Sequence, residues 1–424
     1  MSRAVILVGN PARPYSRALR LGRTLVTGGD AVEIAATWQD GTPDHEIDGT
    51  ITINRYRPIG PFAGHAARGR PADPARAARG SWLARVLRAR RARLIEWLFW
   101  PQTVRGWWAA LDRDLPPADL YHACGLLALP PALAARRRDR RAGRPSRVIY
   151  DIIDITLESN NTLAIPRLVR GLLGIRERRW ARSADVRIAV NEPFADRARE
   201  RWGLPVRPLV VPNYPEPWTS PATPPDLIRA ALRLPAAVRV CLFWGRLGPN
   251  LGLDEAAESI LAVPSAAMVV IGFGRGWDAS LARDRDPRFM GRHFTLPARH
   301  PDDLPAWIAS ADIALVTLPP LSYNQRYTTP NKFLEAMTAG TPIVLGPDLP
   351  TMADILERED LGRIALSMAP ADIAAAIRAI LDQPEVERRA WRSRIAATAR
   401  SRYSWPEAAE AYRRIVAGLR AHPE

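Results

Sequence analysis

Lysine is almost absent from this sequence. Of 60 Lys and Arg residues only one is Lys, at position 332, and the remainder are Arg. A functional need for so many guanidinium groups is implausible. With 40 Pro and abundant Ala, the pattern reads as pressure from a GC-rich genome. The formal net charge of +16 is therefore weak evidence for a polyanionic partner, although an Arg-rich surface still favours acidic surfaces in general. No basic-aromatic nucleic-acid motif is present, so no nucleic-acid partner is expected. Cysteine is nearly as scarce. Cys124 and Cys241 stand apart, in no CxxC or Cys/His cluster, which excludes a disulfide framework and predicts no metal site. Long apolar runs are missing too: none approaches the roughly 18 residues of a membrane span. The run from Ala4 to Gly9 is too short for a signal peptide and reads as a buried strand. These absences predict a cytoplasmic protein of a reducing compartment, with access to the inner face of the cell membrane.

What is present is ordinary globular material, 47% hydrophobic and 25% charged, in 424 residues, enough for two domains. Short buried strands alternate with amphipathic helices, the pattern of parallel sheets covered on both faces. Strands are expected at 4–8, 31–36, 119–123, 147–153, 185–190 and 208–211. A helix starts near Ser16 and ends at Gly28-Gly29. Six prolines between Pro212 and Pro225 then interrupt the alternation, because proline lacks the amide donor that helix interiors and central strands require. The alternation restarts with strands at 239–244, 268–271, 312–317 and 342–345. The expected organisation is an α/β first domain over 1–214, a linker over 215–235, a second α/β domain over 236–400 and a C-terminal helix over 401–424 returning toward the first domain. In two doubly wound domains the ligand belongs outside the C-terminal strand ends, in a cleft between the lobes.

The single Lys lies in the run Thr328-Thr329-Pro330-Asn331-Lys332-Phe333-Leu334-Glu335-Ala336-Met337-Thr338-Ala339-Gly340-Thr341-Pro342. Thr329 is the expected N-cap, Pro330 suits the first helical position, and Gly340 suits the C-terminal cap. Lys332 and Glu335 are neighbours on one face near the helix start. Free amides and the positive dipole end there suit phosphate, to which a Lys adds a compact charge. A Glu one turn on can accept bonds from ribose hydroxyls.

This run, with Ala311-Asp312 and Tyr323-Asn324 before it and Ile343-Val344 after it, resembles the donor-site signature of GT-B glycosyltransferases, most of all family 4-type enzymes of the bacterial cell envelope. Their Gly-Arg loop is matched by Gly245-Arg246-Leu247, and their glycine turn by Gly272-Phe273-Gly274. In the first half, Tyr121-His122-Ala123, Tyr150 to Asp154, Val190-Asn191-Glu192 and Val211-Pro212-Asn213 also fit. The resemblance covers nearly the whole chain. It implies two Rossmann-like domains and a UDP- or GDP-sugar donor used as substrate, with no cofactor and no metal. It further implies Lys332 and Arg246 on the diphosphate, Glu335 on the ribose, and Asn331, Gly272 and Gly274 lining the donor site. Two positions depart from the pattern: Leu251 stands where many members carry a Lys, and Tyr327 where many carry a Glu. Reading of the sugar is therefore expected from the loop 323–329.

On the acceptor side, Asp154 follows a first-domain strand and is the expected catalytic base, with Asp151 and Glu158 as alternatives. Gly9, Asn10 and His122 are the expected acceptor contacts. The acceptor itself is expected to be a glycan or a lipid-linked sugar of envelope polysaccharide synthesis. Residues 81–108 place Arg85, Arg88, Arg90, Arg91 and Arg93 beside Trp82, Trp97, Phe99, Trp100, Trp107 and Trp108, an arrangement suited to an anionic membrane surface. Other classes stay open: a GT-B epimerase or phosphorylase, and a catalytically degenerate GT-B fold that binds nucleotide or polyanion. The phosphorylase reading wants a cofactor-bearing lysine, whereas the only Lys fits the donor-site motif.

Overall fold

The computed structural model describes residues 2–13, 16–59, 104–163, 165–219 and 226–421. The chain forms two compact units, one of Met1–Pro212 with Ala409–Glu424 and the other of Asn213–Ala408. Most of the expected 81–108 segment lies outside the described residues. Its last part opens a helix over 104–114, in which Trp107 is buried with its indole donating to the Ala36 carbonyl at 3.2 Å. Trp108 donates to the Leu127 carbonyl at 2.9 Å. Both indoles thus pack within the first unit, Trp107 buried and Trp108 half-buried.

The first unit is built on β1 (Arg3–Val8), β2 (Ala31–Thr37), β3 (His45–Asp48), β4 (Ile51–Tyr56), β5 (Leu120–Cys124), β6 (Arg147–Ile152), β7 (Val186–Ala189) and β8 (Leu209–Val210). They form one sheet in the order β3-β4-β2-β1-β5-β6-β7-β8. All pairings are parallel except β3 with β4, so the sheet is mixed rather than purely parallel as expected. The hairpin sits at the sheet edge, where β3 alternates exposed and half-buried residues. The central strands β1 and β5 are buried throughout apart from Arg3, because helices cover both faces.

In the second unit, β9 (Arg239–Arg246), β10 (Ala266–Phe273), β11 (His293–Pro297), β12 (Ile313–Val316), β13 (Ile343–Leu345) and β14 (Gly362–Ile364) form an all-parallel sheet in the order β11-β10-β9-β12-β13-β14. Numbered within the unit this is the doubly wound order 3-2-1-4-5-6, whose switch point falls between β9 and β12. The first sheet has its own switch between β1 and β5. Ends of predicted strands moved by at most two residues; β9 runs on through Gly245 and Arg246, which the sequence pattern places in a loop. Asp312, at the foot of β12, accepts from the Val240 amide at 2.8 Å and pairs with Arg229, stapling the switch point from below. Cys124 and Cys241 are both buried free thiols.

One buried ion pair organises the first unit. Arg17, in the helix Ser16–Thr27, is only 1% exposed and forks onto Asp151 of β6 at 2.7 and 2.9 Å. The same guanidinium donates to the Val211 carbonyl at 3.0 Å. Burial pushes the Asp151 carboxyl up, but Arg17 and His122 outweigh it and hold the group down to about 2. A depressed carboxyl supplies stability that is present above its unfolded value and lost as pH falls toward 2. Breaking such a pair leaves a bare buried charge. Arg17→Met is expected to destabilise the protein by about 3–5 kcal/mol in chemical denaturation. Adding Asp151→Leu to Arg17→Met should return much of that loss.

Candidate functional site

The donor-type residues of the second unit converge at the C-terminal end of β9. The helix Asn331–Thr338 follows β12 and brings its first turn to the switch point. Thr329 does not cap it. The residue before the helix is Pro330, in extended conformation and without a side-chain cap bond; its carbonyl accepts from the Phe333 amide at 3.0 Å, and no side chain among the described residues caps the first turn. Gly340 closes the other end at φ 67°, where a Cβ would sit 2.7 Å from the Arg392 carbonyl oxygen.

Lys332 reaches back over the strand. Its Nζ lies 3.5 Å from the ring centroid of buried Phe243, and its Cε passes close to Gly245, whose φ is 94°. Burial lowers the ammonium to about 7, only partly opposed by Glu335. The ring face favours the charged form, but water has been stripped from it. Glu335 is oriented by the next residue of β9: the Trp244 indole donates to its Oε2 at 2.7 Å. Asn331 is exposed, and its Oδ1 accepts from Asn213 at 2.8 Å. Phe243, Trp244 and Asn213 were not assigned a part in the site from sequence. Their signals were that Phe243 and Trp244 immediately precede the Gly-Arg pair and that Asn213 ends the Val211-Pro212-Asn213 run.

Arg246 ends β9 exposed to solvent, with no ion-pair partner among the described residues. The glycine turn explains how it is carried. At Gly272 a Cβ would fall 2.3 Å from the Gly245 carbonyl oxygen, and at Gly274, with φ 113°, 2.8 Å from the Leu247 carbonyl oxygen. The two strand ends approach so closely that neither position accepts a side chain. The amide of Leu247 closes the contact, donating to the Phe273 carbonyl at 2.7 Å. Of the segment 323–329, expected as a loop, residues Tyr323–Tyr327 form a short helix capped by Ser322. Tyr323 and Tyr327 stack with centroids 4.5 Å apart, and Gln325 donates to the Asn250 carbonyl at 3.0 Å, which pins the segment above the β9 end.

In the first unit, Gly9 and Asn10 follow β1 at the switch point. Asn10 Oδ1 accepts from the Ala12 amide at 2.9 Å in a tight turn, with Ala12 at φ 68°. His122 does not face solvent. It is fully buried in β5, its Nδ1 2.9 Å from the Tyr412 hydroxyl and its Nε2 3.3 Å from Asp151. An acceptor cannot reach it, so its expected place among the acceptor contacts is corrected: it joins the Arg17–Asp151 pair to the C-terminal helix. Asp151 is likewise structural, and Glu158 is engaged by Arg197 and Arg201. Of the three carboxylates Asp151 is fully buried, Glu158 is held in ion pairs, and Asp154 is bound by no Arg among the described residues. It is half-buried, bonded by the Thr156 hydroxyl at 2.9 Å, and burial raises its pKa. A raised carboxyl is a stronger base toward an alcohol.

Residues 238–383 match the family model described as glycosyl transferases group 1. No curated protein sequence matches the chain. Among solved structures, sucrose-phosphate synthase from Thermosynechococcus elongatus superposes with a TM-score of 0.72 at 16% identity, covering 99% of this chain and 100% of that one. Anabaena HepE in complex with UDP-glucose gives 0.64 at 14% identity, with 99% and 100% covered. WaaG, a glycosyltransferase involved in lipopolysaccharide biosynthesis, gives 0.61 at 14% identity, with 96% and 98% covered. All three have the same two-sheet fold, known as GT-B.

The packing of the glycine turn is open to test. Gly272→Ala places a methyl against backbone, and overpacking of this kind costs about 1–3 kcal/mol. A measurable fall in the thermal midpoint is expected, larger than that of Gly291→Ala, a positive-φ position where a Cβ meets nothing within 4 Å.

Proposed function

We propose that this chain, a glycosyltransferase of the GT-B fold whose second unit matches the group 1 family, moves a sugar from a UDP- or GDP-linked donor to a hydroxyl of a glycan or lipid-linked acceptor in envelope polysaccharide synthesis. The observation that carries the donor side is Lys332: a partly desolvated ammonium at the helix start, beside an oriented Glu335 and an exposed Arg246 with no ion-pair partner among the described residues. Such an ammonium gains most from an anion that replaces its lost water. A diphosphate fits, with Lys332 and Arg246 on its oxygens and Glu335 on the ribose. HepE in complex with UDP and with UDP-glucose supports the donor class. The envelope acceptor is supported by the likeness to WaaG alone.

In the transfer, the bond between the donor's anomeric carbon and the diphosphate oxygen breaks, and its electron pair stays on the diphosphate. The acceptor hydroxyl oxygen bonds to that carbon. Its proton goes to Asp154, whose carboxyl burial raises above its ordinary value. The growing charge on the leaving diphosphate is met by Arg246, Lys332 and the amides of the helix start, held in place before the reaction begins. With cations supplied by the protein, we read the step as independent of a divalent metal, and chelation with EDTA should leave turnover unchanged.

A nucleotide-release assay across UDP- and GDP-sugars, with calorimetry of UDP and GDP, tests this reading. One nucleotide is expected to bind, and Lys332→Ala to weaken it about 10–100-fold, the loss of one charge-assisted contact. Binding unchanged in Lys332→Ala would sink the donor assignment. Asp154→Asn should lower turnover by about 10²–10⁴ with nucleotide affinity intact. Near-normal turnover would instead hand the proton to the leaving phosphate.

A further inference from the structure

The helix Arg167–Ser183 of the first unit carries an apolar stripe on its outer face. Leu168, Leu172 and Ile175, spaced four and three residues apart, are 78%, 58% and 68% exposed. At 3.6 residues per turn they lie in one row. The opposite face holds buried Glu177 and Ala181, with Trp180 edge-on to Trp108 at 6.1 Å. The helix is thus anchored by one side and presents aliphatic side chains on the other. This is the reverse of a surface helix that exists only to cover a core.

The charges around the stripe are all of one sign. Arg176 flanks it on one side, Arg167 and Arg178 on the other, and Arg179 continues it. Glu177, the one acidic residue of the helix, faces inward and binds Arg201 at 3.4 Å. Arg167, Arg176 and Arg179 have no acidic partner among the described residues. Apolar residues outward with unneutralised Arg on the flanks is the composition of a helix that lies in the plane of a bilayer surface. A second copy of this chain is a poorer occupant, since pairing the stripe with itself would bring the Arg rows together. No described helix is long and apolar enough to cross a membrane, so the contact would be superficial.

We propose that the Leu168–Leu172–Ile175 face of this helix docks the first unit onto an anionic phospholipid surface, with the aliphatic side chains in the acyl boundary and the arginines at the headgroup phosphates. The proposal is independent of the transfer reaction: a lipid-linked acceptor would give the contact a purpose, but binding requires neither donor nor acceptor.

Flotation of the full chain with vesicles of phosphatidylglycerol and phosphatidylcholine, compared with phosphatidylcholine alone, tests it. The chain should float with the anionic vesicles and little with the neutral ones. The variant Leu168→Ser with Leu172→Ser and Ile175→Ser should lose about tenfold or more of that binding. In case the triple variant misfolds, Arg176→Glu with Arg179→Glu, at exposed positions, should lower anionic-vesicle binding while far-ultraviolet dichroism stays normal. Equal flotation with both lipids, or none, would overturn the proposal. So would undiminished flotation of both variants, which would put the contact elsewhere in the chain. A dimer in solution that the triple variant dissociates, without vesicle binding, would assign the face to a second copy instead. Calorimetry of UDP and GDP on the same samples keeps the outcomes apart, because loss of nucleotide binding speaks against the transferase reading only.

Discussion

An ammonium group held partly out of water is the constraint on which the second unit's site depends. Burial brings Lys332 down to about 7, so near neutral pH its charge is only half retained. Neither the Phe243 face nor Glu335 restores what water supplied. The folded protein tolerates this cost at one place, beside the switch point of a doubly wound sheet, where a helix start adds a first turn that no side chain among the described residues caps. An anionic group placed there would relieve the desolvation and meet that first turn together. A flexible Lys stem reaches over the aromatic ring at Gly245, where a planar, bulkier guanidinium would demand more room.

The surrounding chain is shaped to hold that geometry. Gly272 and Gly274 let the ends of β9 and β10 approach within backbone contact, and Arg246 emerges from that contact toward solvent. Trp244 fixes Glu335, while Asp312 and Arg229 fix the other end of β9. The first unit solves a different problem. Its buried Arg17–Asp151 pair satisfies the carbonyl at the end of the unit's first stretch of chain, and His122 extends the pair to Tyr412 of the C-terminal helix. Asp151 and Glu158, which look catalytic in a linear reading, are spent on ion pairs, whereas Asp154 is held only by the Thr156 hydroxyl among the described residues.

Much of the second unit was legible because its signals are local. One Lys in an Arg-dominated chain, a Glu one turn on, a Pro before the helix and a Gly after it all lie within a single run of sequence. Even there the N-cap was misplaced by one residue, since Thr329 and Pro330 compete for the same turn. The first unit was harder because its roles are set at a distance. Asp151 and Asp154 look alike in sequence; what separates them is a guanidinium 134 residues away. His122 next to a strand end reads equally as a contact or a core residue until Tyr412 is placed beside it. The outer stripe of Arg167–Ser183 was missed for a related reason: helical periodicity shows that a face is apolar, not whether that face is covered.

The central claim is that Lys332 is a depressed ammonium awaiting a nucleoside diphosphate. Calorimetry of UDP binding at pH 8, repeated in buffers of different ionisation heat, measures it most directly by counting protons. Burial lowers the free Lys and the bound diphosphate favours it charged, so wild type should take up protons on binding UDP at that pH. Lys332→Ala should take up none in whatever binding remains. Binding without proton uptake in wild type, or the same uptake in Lys332→Ala, would contradict the account.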